Sequence, residues 1–421
     1  MTERFLGVMI EGQTVASLIE NNGHWQMLYE DAWRQQGHPL SPQFPLSQTA
    51  YVDSGTWRPV QAFFDNLLPE EAARKLMASD ANVDPEDHFA LLAYYGMETA
   101  GALTLIDPEQ SRAVESGEQL ILPDALSARI QQLPKVALSH GSPKRMSLAG
   151  AQHKLPVIYR QGEIFDPVGI TPSTHILKPD HQNRDVYPNT AANEWFVMTL
   201  AQRVLSDIPN VELTKVPESV YLITRFDRTR FKEQTRRRYM IDGCQALGLN
   251  STSKYAQCTM ESLLKLAEQC QKKAQTRMRL FEWLVFNYLA GNSDAHLKNV
   301  SFFYDSDGLE ITPAYDLLCT SIYHGQRPGQ WNEDQLVTPL GKTKEFGAIT
   351  REDIMAVASE LNVPKRKADE LMNRWSTSLP TIANEILDTS IAKGRLDAGE
   401  IRTLRLIIHG PIMEACQRIS R

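Results

Sequence analysis

The spacing of apolar positions changes along this chain, and each change predicts a different kind of element. Near the start they alternate: Phe5 to Ile10 and Thr14 to Leu18 read as two strands paired around Glu11-Gly12. After the prolines at 39, 42 and 45 the spacing becomes helical over Pro59 to Leu68, Pro69 to Ala78 and Pro85 to Tyr95. Gly101 to Ile106 returns to a strand. Residues 107–140 read as a connector with a short helix near Asp124 to Gln132. Strands then dominate: Leu155 to Arg160, Gly162 to Phe165, Thr174 to Pro179 (stopped by its proline), Val211 to Val216 and Ser219 to Thr224. One helix interrupts them, Thr190 to Val204, with Ala192, Trp195, Phe196, Thr199 and Leu200 on a single stripe. From about residue 239 the pattern is mostly helical. Leu280 to Leu289 carries apolar residues at 281, 284, 285, 288 and 289 and ends at Gly291. Arg351 to Leu361, Lys365 to Ser376, Thr381 to Thr389 and Thr403 to Ile419 predict further helices. The expected class is α+β, a strand-rich part followed by a helical one.

A chain of 421 residues can bury a large core divided over two or three domains. Its 42% hydrophobic and 23% charged residues are those of a globular protein, with no apolar run that approaches a membrane span. The net charge of -7 argues against bulk binding of nucleic acid. The basic run Arg225 to Arg238 is the local exception, read as a solvated loop or helix face, or else as a patch contacting phosphate or a partner. Cys244, Cys258, Cys270, Cys319 and Cys416 form no C-x-x-C pair, so neither a disulfide framework nor a zinc site is expected, and a reducing cytoplasm suits them. The N-terminus lacks the basic and apolar regions of a signal peptide.

The chemistry concentrates in Gly291-Asn292-Ser293-Asp294-Ala295-His296-Leu297-Lys298-Asn299 and Ala314-Tyr315-Asp316. A carboxylate, Asp294, precedes a carboxamide, Asn299, by five residues, and a second carboxylate, Asp316, follows 17 residues later. Between them Val300 to Tyr304 and Leu309 to Ile311 predict a hairpin around Asp305-Ser306-Asp307-Gly308. Protein kinases use this order for a catalytic base and two Mg2+ ligands. Phosphoryl transfer needs the acceptor hydroxyl positioned, its proton accepted and the phosphate charge neutralised. Asp294 suits the second task, and the oxygens of Asn299 and Asp316 suit Mg2+. Taken singly, such residues also belong to ordinary capping turns.

The nucleotide half of a kinase cleft has candidates in the expected order. Ser147-Leu148-Ala149-Gly150-Ala151-Gln152-His153-Lys154 precedes a strand, and its small residues let backbone N–H groups approach a polyphosphate. Lys178 ends a strand and could reach the phosphates, with Glu194 on the next helix as its partner. Thr224, Arg225 and Phe226 stand where a hinge would recognise adenine, and Asp227 could hold ribose hydroxyls.

Together these segments resemble the HipA-type serine/threonine kinases, toxins of bacterial toxin–antitoxin modules. The resemblance adds Phe63-Phe64-Asp65-Asn66-Leu67-Leu68-Pro69-Glu70, Gly101 to Leu105, Asn193-Glu194, Arg225-Phe226-Asp227-Arg228 and Gln245-Ala246-Leu247-Gly248, and covers nearly the whole chain. It implies a two-lobed kinase-like fold: residues 1–108 a HipA-type N-terminal subdomain, 109–226 the kinase N-lobe, and 227–421 an all-helical C-lobe. It implies Asp294 as base, Asn299 and Asp316 on Mg2+, and Lys178 with Ala149, Gly150, Ala151, Gln152, His153 and Lys154 on the ATP phosphates. Gln245, His296 and Tyr315 would lie near the nucleotide. Ser147 matches an autophosphorylated serine whose modification disables ATP binding. The implied partners are a HipB-like helix-turn-helix antitoxin, operator DNA mainly through it, and a protein substrate in translation of the aminoacyl-tRNA synthetase kind. The stretch Gln335 to Lys342 departs from the family pattern. Two alternatives remain open at this stage: a small-molecule kinase of aminoglycoside or choline type, and a catalytically idle corepressor.

Overall fold

The computed structural model describes residues 3–107, 116–146, 148–150, 152–232, 234–324 and 330–420. The alternating N-terminus folds into an antiparallel sheet of β1 (Arg4–Ile10), β2 (Gln13–Asn21), β3 (His24–Tyr29), β4 (Ala50–Val52) and β5 (Leu103–Ile106), ordered β4-β3-β2-β1-β5. Leu6, Val8 and Ile10 of β1 and Trp25, Met27 and Tyr29 of β3 are buried at every second position, the strand period expected of a sheet with one covered face. Helices Pro59–Asp65 and His88–Tyr95 provide part of that cover, Phe89 meeting Trp25 edge-on.

The second sheet carries the nucleotide half of the site. It contains β6 (Ser116–Ile121), β7 (Leu155–Arg160), β8 (Glu163–Gly169), β9 (His175–Pro179), β10 (Val211–Lys215) and β11 (Ser219–Thr224), in the order β10-β11-β9-β7-β8-β6. Helix Thr190–Val204 packs on β10 and β11, and Lys178 lies opposite Tyr221 in the register of β9 with β11.

The remainder is mainly helical: Met260–Gln269, Lys273–Ala290, Arg351–Glu360, Lys365–Ala392, Ala398–Ile407 and Met413–Ile419. It is not all-helical as expected. Met240–Asp242, Ser301–Asp305 and Gly308–Ile311 form a small sheet, and the divergent stretch forms a hairpin of Gln335–Leu340 with Thr343–Glu345. The two helices expected around Pro380 are one. The buried face of Leu371, Met372, Trp375, Leu379, Ala383, Ile386 and Leu387 runs in phase through the proline, and that packing outweighs one lost hydrogen bond and the local clash, a cost of about 3 kcal/mol. The last expected helix begins earlier, where Asp397 and Glu400 form a capping box, and widens into a π-turn at Ile408–Ile412 around Pro411. No helix among the described residues is long and apolar enough to cross a membrane.

The basic run also departs from expectation. It is a hairpin, Arg228–Phe231 with Gln234–Arg237, and its base is buried rather than solvated. Arg225, Arg228 and Arg237 converge with Lys144 on Glu98, a side chain with no solvent exposure. Glu98 also accepts hydrogen bonds from the backbone N–H and hydroxyl of Ser173. Burial works to raise the Glu98 carboxyl, but the four cations reverse it and hold the pKa well below the ordinary range. The residue joins the N-terminal unit, the second sheet and the strand-to-lobe connection at one point.

Glu98→Gln leaves those buried cations short of their shared anion. It is expected to cost about 3–5 kcal/mol in urea unfolding at neutral pH. Because the native pKa of Glu98 is depressed, its contribution is present above the unfolded carboxylate pKa and lost as pH falls toward the native one; the gap between wild type and variant should therefore close in acid. Trp375→Ala, which empties a fully buried site, should cost a similar amount, about 3–5 kcal/mol.

Candidate active site

A cleft of about 510 Å³ opens between the second sheet and the helical part, and Lys178, Asp294, Asn299 and Asp316 all line it. Local sequence explains how each arrives. Helix Lys273–Ala290 stops at Gly291, whose φ is +72° and whose N–H caps Asn287 and Tyr288. A Cβ there would lie 2.5 Å from the Ser321 hydroxyl, so only glycine turns the chain at this point. The turn is then pinned: Asn292 Oδ1 accepts from the Asp294 N–H at 3.0 Å, and Asn299 Nδ2 donates to the Asp294 carbonyl at 3.1 Å. The hairpin after Asn299 returns the chain to Asp316, which sits at φ +57°, a conformation uncommon for a residue with a Cβ and frequent at functional sites.

Lys178 links the two halves. Its ammonium donates to Glu194 Oε1 at 2.7 Å and to Asp316 Oδ1 at 2.5 Å. Burial alone would lower the Lys178 pKa, but Asp316 and Glu194 reverse that and raise it, so the lysine stays charged. Burial likewise works to raise the Asp316 carboxyl. Lys178 and Lys154 outweigh it and hold Asp316 well below the usual carboxylate range. Glu194 lies deeper, and burial exceeds the pull of Lys178, leaving its pKa at about 7. Burial pushes Asp294 up to about 6 against a hydrogen bond from Tyr255. Burial, with Lys254, brings His296 down to about 4, so its imidazole is neutral; its Nδ1 is buried with no partner among the described residues.

The loop before β7 is held by the N-terminal unit: the Glu70 N–H donates to the Gly150 carbonyl at 3.2 Å. Lys154 Nζ donates to the Ala149 carbonyl at 2.7 Å, and burial with Lys178 lowers its pKa to about 8. Gly150 has φ +106°, and a Cβ there would lie 2.7 Å from Lys154 Nζ. Ala149, Gly150, Gln152 and Lys154 line the cleft, so the small residues and the amine form a cradle for a polyanion. His153 does not join them. It lines a separate small cavity behind the loop with Pro69, Ala73 and Leu148, a cavity that Lys154 borders as well. Ser147 and Ala151 lie outside the described residues.

Thr224, Arg225, Phe226 and Asp227 line the opposite wall. Two of these side chains are not free to meet a nucleotide. The Arg225 guanidinium is engaged by Asp227 and Glu98, and the Asp227 carboxylate accepts from Arg225 and from the Gly101 N–H at 2.7 Å. Asp227 is thus a buried counter-ion rather than a free ribose ligand. Since both side chains are engaged, this segment has its backbone and the Phe226 ring to offer a base. That ring tilts against Tyr315 at 5.4 Å between centroids. The Tyr315 hydroxyl donates to the Lys298 carbonyl, leaving its ring to the cleft. Gln245 lines the cleft too, but its amide donates to Phe63 and closes a capping box with Asp242.

Several residues at the site carried no role in the sequence reading. Lys298 donates to Asn66 and to Asp242 Oδ2 at 3.0 Å, and Lys254 pairs with Glu70. Asn193 exchanges hydrogen bonds with the backbone of Cys319 beyond Asp316. The Tyr255 hydroxyl donates to Asp294 Oδ1 at 2.8 Å. Lys298 lies inside the Gly291–Asn299 stretch, and that place was its only signal; Lys254 and Tyr255 had none.

The donor set suits one divalent ion in particular. Asn299 uses its Nδ2 internally, which leaves Oδ1 to offer, and Asp316 is kept anionic. Among the described residues no group of three or more His, Cys, Asp or Glu could hold a metal on protein ligands alone. One carboxylate and one carboxamide fit Mg2+, which keeps waters and arrives with phosphate oxygens.

Comparison with known proteins agrees with this geometry. Residues 146–382 match the family model described as HipA-like C-terminal domain, and residues 6–106 match the HipA N-terminal domain. The chain is 30% identical over 437 residues to the putative kinase Y4mE of Sinorhizobium fredii, covering 97% of this chain and 100% of that one. It is 29% identical over 378 residues to the serine/threonine-protein kinase toxin HipA of Shewanella oneidensis, covering 85% and 83%. In structure it is similar to a chain of the Shewanella oneidensis toxin–antitoxin complex of HipA, HipB and operator DNA, with a TM-score of 0.81, 26% identity, and coverage of 99% and 97%. With a two-part family match and a full-length relative, this chain belongs to the HipA family of serine/threonine-protein kinases.

Proposed function

We propose that the chain transfers the γ-phosphoryl group of ATP to a serine or threonine of a protein, as the toxin of a toxin–antitoxin module. The observation that carries this reading is the convergence of the Lys178 ammonium, the Asp294 base and the Asn299–Asp316 oxygen pair on one cleft. Lys178 would turn from Asp316 to the phosphates, keeping Glu194 behind it to fix its position. Lys154 and the Gly150 loop would hold the polyphosphate, and the backbone of Thr224 to Phe226 would meet adenine. Asp294 would align the acceptor hydroxyl and take its proton. When bound between Asn299 and Asp316, Mg2+ would neutralise phosphate charge.

The partners follow from the same family. The Shewanella oneidensis HipA assembles with HipB and operator DNA. For this chain we propose a helix-turn-helix antitoxin of that kind, with DNA contacted mainly through it, and a substrate in translation. Ser147 is proposed as an inhibitory self-phosphorylation site. It is adjacent in sequence to the Leu148–Gly150 cradle, where nearly two negative charges would repel a triphosphate. The intact base and metal-ligand set gives no support to an idle corepressor.

With labelled ATP and Mg2+, the purified protein should label itself or a protein of the cell lysate. Asp294→Asn should lower transfer by at least about 100-fold while ATP still binds, because the base contributes roughly that much. Lys178→Met should weaken ATP binding itself, read by calorimetric titration. EDTA should abolish transfer without lowering the melting temperature of the nucleotide-free protein, since among the described residues no His, Cys, Asp or Glu group could hold a metal on protein ligands alone. Ser147→Ala should keep its activity through a preincubation with ATP that silences the wild type, and mass spectrometry should find phosphate on Ser147 of the latter only. Transfer to aminoglycosides or choline with none to protein would overturn the reading.

A further inference from the structure

The Tyr255 hydroxyl stands 2.8 Å from Oδ1 of Asp294, inside the range in which a general base must hold the hydroxyl it serves. Among the described residues it is the only hydrogen-bond partner of that carboxylate. It is also a hydroxyl on carbon, the same group as the acceptor of a protein kinase.

The surroundings leave its side chain open to solvent on one side. Tyr255 lies in the turn between the short helix Ser251–Ser253 and helix Met260–Gln269. Its backbone is anchored, since the carbonyl of neighbouring Lys254 accepts from the Leu297 N–H of the catalytic stretch at 3.3 Å. Its ring is not enclosed: it rests edge-on against His296 at 5.0 Å, lies 4.9 Å from the Lys254 ammonium, and is 44% exposed at the wall of the cleft. An anchored backbone with a half-exposed ring lets the side chain rotate outward without unpacking a core.

Taking Asp294 as the base of the proposed kinase, we propose that Tyr255 is a gate: its hydroxyl occupies the acceptor position on Asp294 until a protein hydroxyl displaces it. The chemical reason is water. A kinase that has bound ATP before its acceptor holds an activated phosphate beside a base, and any water reaching that base can hydrolyse the nucleotide. A phenol on the base excludes that water.

The test is ATP hydrolysis without protein acceptor. Tyr255→Phe keeps the ring contacts and removes only the oxygen, opening a water-sized space at Asp294. Acceptor-independent release of ADP should rise, by about 5-fold or more, and Tyr255→Ala should raise it further. Adding Asp294→Asn to Tyr255→Phe should return hydrolysis to the wild-type level or below. A purely structural role would lower hydrolysis, not raise it. Hydrolysis that is unchanged or reduced in both single variants overturns the gate, as does phosphate found on Tyr255 of the wild type, which would make it an acceptor. Failure of the wild type to label any protein would instead count against the kinase reading, a separate measurement from the change in hydrolysis.

Discussion

One buried ammonium bonds to both halves of this molecule at the cleft between them. Lys178 ends a central strand of the second sheet, Glu194 stands on the helix packed against that sheet, and Asp316 belongs to the helical part. A buried ammonium held between two carboxyl groups has few low-energy alternatives: removing the lysine leaves both carboxyls without their shared cation. The arrangement therefore defines the cleft that lies between its members. It also leaves one ammonium shared by two anions, a balance that a triphosphate is suited to change.

The N-terminal unit is built into this arrangement rather than attached to it. Asn66 receives Lys298 from the catalytic stretch, Glu70 pairs with Lys254, and the Glu70 backbone supports the Gly150 loop. Glu98, with four cations around it, ties the same unit to the connection that follows β11. Each of these links joins groups far apart in sequence, and all but the Glu70–Gly150 backbone bond involve a charged side chain. The positions of the Asp294–Asn299 stretch and the Gly150 loop thus depend on residues outside the lobes that carry them.

Much of this was legible in the sequence because it is local. Helix Thr190–Val204 and strand Ser219–Thr224 follow from apolar spacing alone, and the Asp294–Asn299–Asp316 order follows from what phosphoryl transfer requires. What stayed hidden was decided by tertiary contact. Arg225, Arg228 and Arg237 look like a solvated basic run until Glu98 arrives from far along the chain. Asp227 looks like a ribose ligand until Arg225 folds back on it. His153 belongs to a promising loop, yet it faces the small cavity behind that loop and not the cleft. Pro380 marks a break in every local reading, and only the continuous buried face around Trp375 carries the helix across it. Tyr255 has no motif at all; it matters because its turn is bonded to the catalytic stretch.

The most direct test is the structure of the chain bound to Mg2+ and a non-hydrolysable ATP analogue. The account predicts a metal touching Asn299 and Asp316, and the Lys178 ammonium moved from Asp316 to a phosphate oxygen while Glu194 keeps its bond. A triphosphate seated outside this cleft, or a Lys178–Asp316 pair left intact beside it, would contradict the account.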